Sequence, residues 1–491
     1  MQISRTSTRQ KGFALLILSI SLANFMAALD STIVSVALPT ISDVFNITPG
    51  TASWILTSYI LVLAGCVLIF GKVSDAIGFK KIFLSGFLIF TISSFATGFL
   101  PGFLNSFYIF IATRICQAIG ASMIMAIGPA MVTAYIPMEL KGKAMGTVFT
   151  MQAFGGAIGP TIGGLLTQHL SWSWVFFINI PIGIFAILLG YKVIPDLTTN
   201  RGGYGFDRIG ALLIFIGLSS MTFFLSEGQT FGWTSPVILG TIILMLLALG
   251  SFVWHELSVS DPLLELHLFT NRNFILTNSL IAFLFFNFAG IFFLLPFYLQ
   301  NIQKLTPSLV GLIFSSLSIA IMIGGVMAGV FYNRLKGRKI NIIAGIFEIS
   351  GYFLLTRITI DTDPWYFFLC LVLIGTGTGM ILTSASNMVM NSVSKKYQGM
   401  ISSFTNIERF IPIILGVTVY NLIFTLGISG KTIPGEITRE ILAGIKIEDL
   451  SAGFNLAFYF AFIISIIVFV ITFIAELKIH PDYLPEDPEK I

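Results

Sequence analysis

Apolar runs close to bilayer length, separated by short polar stretches, set the pattern of this chain from residue 13 to residue 476. About 20 predominantly apolar residues, rising 1.5 Å each, cross a hydrocarbon layer as a helix. That rule predicts fourteen membrane helices, at 13–38, 51–70, 82–100, 106–134, 142–167, 174–194, 207–227, 236–256, 273–300, 308–331, 340–360, 364–391, 399–427 and 453–476. They divide as six, two and six. Residues 1–194 form an expected six-helix bundle, 195–272 carry two intervening helices with polar linkers, 273–476 form a second six-helix bundle, and 477–491 are a tail. The predicted class is an all-α polytopic membrane protein. A weak internal repeat supports two related halves. GKVSDAIGFKK at 71–81 follows span 2, and GVFYNRLKGRK at 329–339 follows its counterpart, each with a Gly, a polar turn, a second Gly and a basic pair.

Composition agrees: 55% of residues are hydrophobic and 10% charged, and mean hydropathy is +0.92, far from the roughly 25% charged residues of soluble domains. The net charge of +4 does not point to nucleic acid once the basic residues are placed. With a cytoplasmic N-terminus, twenty of the 27 Lys and Arg fall on cytoplasmic segments, five on outer ones, and Arg114 and Arg409 within the membrane. That bias predicts both termini on the cytoplasmic side of a plasma (inner) membrane. The first run is longer than a signal-peptide core and contains Asp30, so it reads as a retained span. Cys66, Cys116 and Cys370 all lie in apolar segments and suggest neither disulfides nor a metal cluster.

The sharpest local signal is GTVFTMQAFGGAIGPTIGG at 146–164, with Gly146, Gly155, Gly159, Pro160, Gly163 and Gly164 at fixed intervals. Glycine every four residues strips one helix face so that a neighbour can approach closely, and proline in a lipid-embedded helix needs protein around it. This array resembles, at every position, the antiporter motif on the fifth helix of major facilitator superfamily exporters. Residues 71–81 resemble that superfamily's cytoplasmic loop signature, at Gly71, Asp75, Gly78, Lys80 and Lys81, although Ala76 and Phe79 replace its usual basic residues. The resemblance implies that Asp75 ties the loop to the bundle edge as a conformational switch; the residues alone also fit a positive-inside anchor.

Three further stretches resemble the drug:proton antiporters of the fourteen-span branch. They are LANFMAALDSTIVSVALPTI with Asp30 and Pro39, RICQAIGAS with Arg114, Gln117 and Gly120, and WSWVFFINIPIG at 172–183, where Ser173 stands for a usual Arg. The resemblance implies a major facilitator fold, two pseudo-symmetric bundles plus two intervening helices, working by alternating access.

The buried charges support the same direction on physical grounds. Ionisable groups at membrane depth are costly and mark function. Asp30 lies eight residues before the outer end of span 1, and Arg114 eight residues into span 4 from that side. Both therefore sit on the order of 12 Å deep and can meet. An unpaired carboxyl there holds its proton, whereas a guanidinium favours the charged form. The pair reads either as a proton switch or as a permanent structural ion pair. Glu408 and Arg409 are adjacent in span 13, roughly 14 Å from the cytoplasmic end. The resemblance implies a substrate or second proton site at Glu408, while an interhelical ion pair fits equally. Gln117 and Asn24 join these as candidate pocket residues, with Thr32, Met123, Gln152, Asn287, Asn387 and Asn406. Glu348 on span 11 is expected to be structural.

Nothing points to an enzyme. There is no G-x-x-x-x-G-K-[ST] loop, the four histidines form no cluster, and GTGTG at 375–379 lies inside an apolar span where close packing is its expected use. No cofactor is expected; the proton gradient would supply the energy. The expected activity is proton-coupled export of lipophilic or cationic drugs, or other amphipathic compounds, by a monomer whose partners are its small-molecule substrate, protons and membrane lipids, without nucleic acid. Two alternatives stand beside it: a lipid or lipid-conjugate exporter of the same fold, and a transport-inactive receptor or assembly partner.

Overall fold

A computed structural model describes residues 2–196, 207–259, 262, 270–391, 398–429 and 447–474. These residues are helical almost throughout, with no strand among them. The helices are α1 (Gln2–Val44), α2 (Pro49–Ile77), α3 (Phe79–Leu104), α4 (Phe107–Tyr135), α5 (Met138–His169), the single turn α6 (Trp174–Phe177), α7 (Asn179–Val193), α8 (Arg208–Phe231), α9 (Pro236–Ser258), α10 (Arg272–Phe297), α11 (Pro307–Leu355), α12 (Pro364–Asn391), α13 (Gln398–Ser429) and α14 (Ile447–Ile474). Twelve helices among the described residues are long and apolar enough to cross a membrane. Of the segments read as spans from sequence, 142–167 lies in α5 and 340–360 largely in the second half of α11; neither is among the twelve.

Helix starts follow local chemistry. Thr48 Oγ1 accepts the Thr51 N–H at 3.2 Å ahead of Pro49, and Ser235 Oγ accepts the Ile238 N–H at 3.3 Å ahead of Pro236. Asn271 Oδ1 caps α10 through the N–H groups of Asn273 and Phe274. At the other end of α10 the chain continues as one π-helical turn, Tyr298–Ile302.

Two compact units result. The first comprises residues 1–215 with 305–315, the second 216–304 with 316–491. In the first unit the stretch 71–81 is not a loop. Helix α2 runs to Ile77, Gly78 alone turns the chain with φ +100°, and α3 starts at Phe79. A single residue makes this corner because glycine carries no Cβ to clash at that φ.

In the second unit α11 is hydrogen-bonded as one helical run of 49 residues, yet it folds back on itself. Leu317 and Ala320 lie against Gly375 of α12, while Ala344 and Glu348 lie against Gly377, only two residues further along. In a straight helix Ala320 and Ala344 would be about 36 Å apart. The reversal therefore falls between them, in the interval containing 329–339, where the repeat pattern places a turn. Its arms close on a core that includes Phe274, Leu284, Ala328, Ile340, Ala344, Ile381 and Val468. Helix α9 leaves Ile243, Leu246, Leu247 and Trp254 exposed, an outward apolar face suited to lipid.

Candidate functional site: a buried carboxylate–guanidinium network

Asp30 and Arg114 meet. Arg114 Nη1 donates to Asp30 Oδ2 at 2.9 Å, and both residues are fully buried in the first unit. The pairing spans α1 and α4, and each side chain is held by further partners. Gln117, one helical turn after Arg114, accepts from Arg114 Nη1 through its amide oxygen at 2.6 Å. Its amide nitrogen donates to Asp30 Oδ1 at 3.0 Å and to Ser94 Oγ of α3 at 2.8 Å. Asn179, the first residue of α7, donates to Asp30 Oδ1 at 2.9 Å. Arg114 Nε points to the Ile55 carbonyl of α2 at 3.5 Å. The guanidinium lies 4.1 Å from the Tyr59 ring centre and 5.6 Å from that of Phe176, so aromatic faces cover the cation where no acceptor does.

Asp30 thus receives three N–H donors on two oxygens, the satisfaction that a buried charge requires. The break between α6 and α7 at Ile178 puts Asn179 at a helix start. Gln117, read from sequence as a pocket residue, bonds both Asp30 and Arg114. Asn179 and Ser94 were not among the sequence candidates. Each is a lone polar residue inside an apolar run, and that is the one signal that marks them.

The glycine array lines the seam beside this network. A Cβ at Gly155 would strike the Phe25 carbonyl, at Gly159 the Thr32 hydroxyl, and at Gly163 the Ile33 carbonyl at 2.5 Å, so α5 packs backbone-to-backbone on α1. The opposite side of the array faces the start of α11. A Cβ at Gly164 would strike the Pro307 carbonyl, and one at Gly311 the Pro160 carbonyl. Thr161 and Ser315 hydroxyls are 2.6 Å apart, and Gln168 Oε1 accepts the Ser308 N–H at 3.1 Å. Gly146 is different: nothing among the described residues lies within 4 Å of a Cβ there.

At the corner, Lys80 Nζ sits 5.2 Å from the Tyr191 ring centre and Lys81 is exposed. A Cβ at Gly71 would meet nothing within 4 Å. The Asp75 side chain lies outside the described residues, as does that of Asn406. Asn24 donates to its own helix at Ile20 O, at 3.0 Å, beside Gly128 of α4.

The second unit holds three further sites from the sequence reading. Glu408 is buried, with no hydrogen-bond partner for either carboxyl oxygen among the described residues. Arg409 lies 5.7 Å from the Phe285 ring centre. Asn287 is fully buried, accepts from the Tyr420 hydroxyl and donates to the Ala461 carbonyl at 3.1 Å, so it ties α10 to α13 and α14 and does not line an open cavity. GTGTG is a packing strip: Gly375 and Gly379 meet the carbonyls of Leu317 and Ile321 on one arm of α11, and Gly377 meets the other. Among the described residues no group of three His, Cys, Asp or Glu is placed to hold a metal ion.

Residues 20–417 match the family described as Major Facilitator Superfamily. The riboflavin transporter RibZ of Clostridioides difficile (strain 630) is 32% identical over 420 residues, 85% of this chain and 89% of its own. The multidrug transporter protein MdtP of Bacillus subtilis (strain 168) is 30% identical over 422 residues, covering 85% and 76%. Among solved structures, a bacterial homologue of the human lysosomal transporter Spinster, inward-facing and occupied, superposes with a TM-score of 0.64 at 14% identity over 94% of this chain and 96% of its own. A D-xylose–proton symporter gives 0.64 at 13% identity over 96% and 98%. At such identities the structural likeness bears on the fold alone.

Proposed function

The chain belongs to the major facilitator superfamily and is a multi-pass membrane transporter, and from that premise we propose that it is a proton-coupled antiporter exporting lipophilic, cationic or otherwise amphipathic compounds. The observation that carries the proposal is the Asp30 network. Asp30 Oδ1 already accepts twice, and Arg114 points an N–H at Oδ2. Oδ2 accepts only from Arg114 among the described residues and keeps a site for a proton, and a proton taken there removes the charge that holds the guanidinium, so protonation weakens the bridge to Arg114. Released, Arg114 keeps its contact with Gln117, on its own helix. Water reaching Asp30 from one side supplies the proton; closure of the Arg114 bridge expels it on the other. A carboxyl that alternates between these states links a proton gradient to rocking of helices.

In this reading fourteen spans form two six-helix bundles and an intervening pair, the two arms of α11 each cross the bilayer, and both termini face the cytoplasm of a plasma membrane. The seam of α5 with α1 and with the start of α11 is a gate that opens when the bundles rock. The relative named a multidrug transporter supports a broad apolar specificity. The relative named a riboflavin transporter favours a second cargo reading, a planar aromatic amphiphile with polar hydroxyls.

The test is proton release by purified protein in liposomes when ethidium, tetraphenylphosphonium or riboflavin is added, for wild type and Asp30→Asn in parallel. Release in wild type that disappears in Asp30→Asn is the expected result. Well-folded wild type that releases no protons with any of the three, while still moving one, would overturn proton coupling; binding without flux would favour a receptor.

A further inference from the structure

Glu348 is buried in the second unit and has no part in the mechanism above. It lies on the second arm of α11 with 1% exposure, and neither of its carboxyl oxygens has a hydrogen-bond partner among the described residues. The titratable groups acting with it are Tyr352 on the same arm and Tyr420 from α13, both fully buried. From α12 the neighbour is Gly377, where a Cβ would stand 2.8 Å from the Glu348 backbone nitrogen. Tyr420 is itself anchored, donating to Asn287, which bonds the Ala461 carbonyl.

We propose that Glu348 is a second proton-binding site of the transport cycle, an inference that rests on the antiport reading. The reasoning starts from contrast. Asp30 has three donors and is accommodated as a carboxylate. Glu348 has no donor and no guanidinium or ammonium among the described groups acting on it, so this packing accommodates the neutral acid. The two units therefore give their buried carboxyls opposite surroundings, three donors around one and none among the described residues around the other. A carboxyl kept only for packing would return nothing for its burial, since leucine or glutamine fits the same space. A carboxyl that becomes wetted when the arms of α11 shift on the α12 glycine strip would release its proton and recapture it on closure. No bond other than the O–H is made or broken, and the proton passes to water in the open state.

The experiment is infrared difference spectroscopy on the full-length protein in liposomes, read at the carbonyl stretch of protonated carboxyls, combined with the proton count per ethidium exchanged. Wild type, Glu348→Gln, Glu408→Gln and Asp30→Asn are compared. The expected result is a neutral-carboxyl band in wild type that loses intensity when ethidium is added, is missing from Glu348→Gln, and persists in the other two variants. Protons released per ethidium fall to roughly half in Glu348→Gln, where exchange continues with one of two titrating sites removed, and to none in Asp30→Asn, where exchange itself stops. A band and a proton count in Glu348→Gln equal to wild type would overturn the proposal. So would a wild-type band that neither pH nor ethidium alters. If Glu348→Gln does not fold, carbon-13 labelling of glutamate carboxyls in wild type, with Glu408→Gln to remove the other buried candidate, gives the same decision. Absence of proton release in wild type would overturn the antiport reading, and with it the coupling role; the band would still report whether Glu348 carries a proton.

Discussion

Arg114 meets two demands that lysine could not meet together: it splits one nitrogen between Asp30 and Gln117 while its flat face rests on Tyr59. Lysine is a point charge without the fork or the stacking plane. Arg114→Lys is therefore expected to lose proton coupling and to melt below wild type in detergent. Arg114→Ala leaves Asp30 buried and without its counter-charge, a loss of about 3–5 kcal/mol, read as a failure to purify as a single species. Asn179→Ala removes one of three donors and is expected to fold with a penalty of about 1–3 kcal/mol, its thermal midpoint lying between those of wild type and Arg114→Lys. The ion pair was legible in the sequence because charges at membrane depth are few and each demands a reason. Asn179 was not, because an uncharged amide 149 residues from its partner follows no period. Gln117 was recognised as a candidate, but its bonds to Asp30 and Arg114 were not legible, because the face it presents depends on how α4 rotates against α1 and α3.

Between helices, glycine decides which surfaces touch. Gly159→Leu is expected to force α5 off α1, where Thr32 and the Leu29 carbonyl stand, at a cost of about 1–3 kcal/mol. Gly146→Leu meets open space and should melt within about 0.5 kcal/mol of wild type. Parallel thermal unfolding of the two variants checks the contrast, and equal destabilisation would show that helix propensity, not contact, governs the motif. Gly78→Ala tests the one-residue corner: φ +100° with ψ 143° belongs to a region used by glycine, and about 1–3 kcal/mol is lost if alanine is forced there. The starts of α2, α9 and α10 carry Thr, Ser and Asn caps, as local chemistry favours. The extension of α2 through 71–77 was not legible in the sequence, since polar residues beyond an apolar run signal the end of the membrane and not the end of the helix. The reversal of α11 was readable both as the polar stretch between the spans at 308–331 and 340–360 and as a repeated Gly and basic-pair pattern; the helical hydrogen bonding that continues through it was not.

For the whole molecule, basic residues carry the prediction of orientation. Single cysteines introduced at residue 7 and at residue 336, in a background lacking Cys66, Cys116 and Cys370, should resist a membrane-impermeant thiol reagent in intact cells, and one at residue 305 should react. Reaction at 7 or 336 would reverse the orientation. The all-helical class and the membrane setting followed from run length and composition, because hydrocarbon leaves the backbone few other ways to satisfy its polar groups. Cargo did not follow, since an apolar cavity selects by shape and a few polar contacts, and these arise from residues distant in sequence.

The Asp30 network also fixes an order of events during synthesis. Asp30 leaves the ribosome 84 residues before Arg114 and 149 before Asn179. The first helix therefore enters the membrane without its counter-charge, and waits through the insertion of two more helices before the fourth supplies one. Its last donor arrives only with the start of α7. Native electrostatics around Asp30 are consequently completed only late in the synthesis of the first six-helix stretch. A chain arrested between residues 114 and 179 would contain the ion pair's two ends but not the amide that completes it, and would be a natural target for the quality control of membrane insertion.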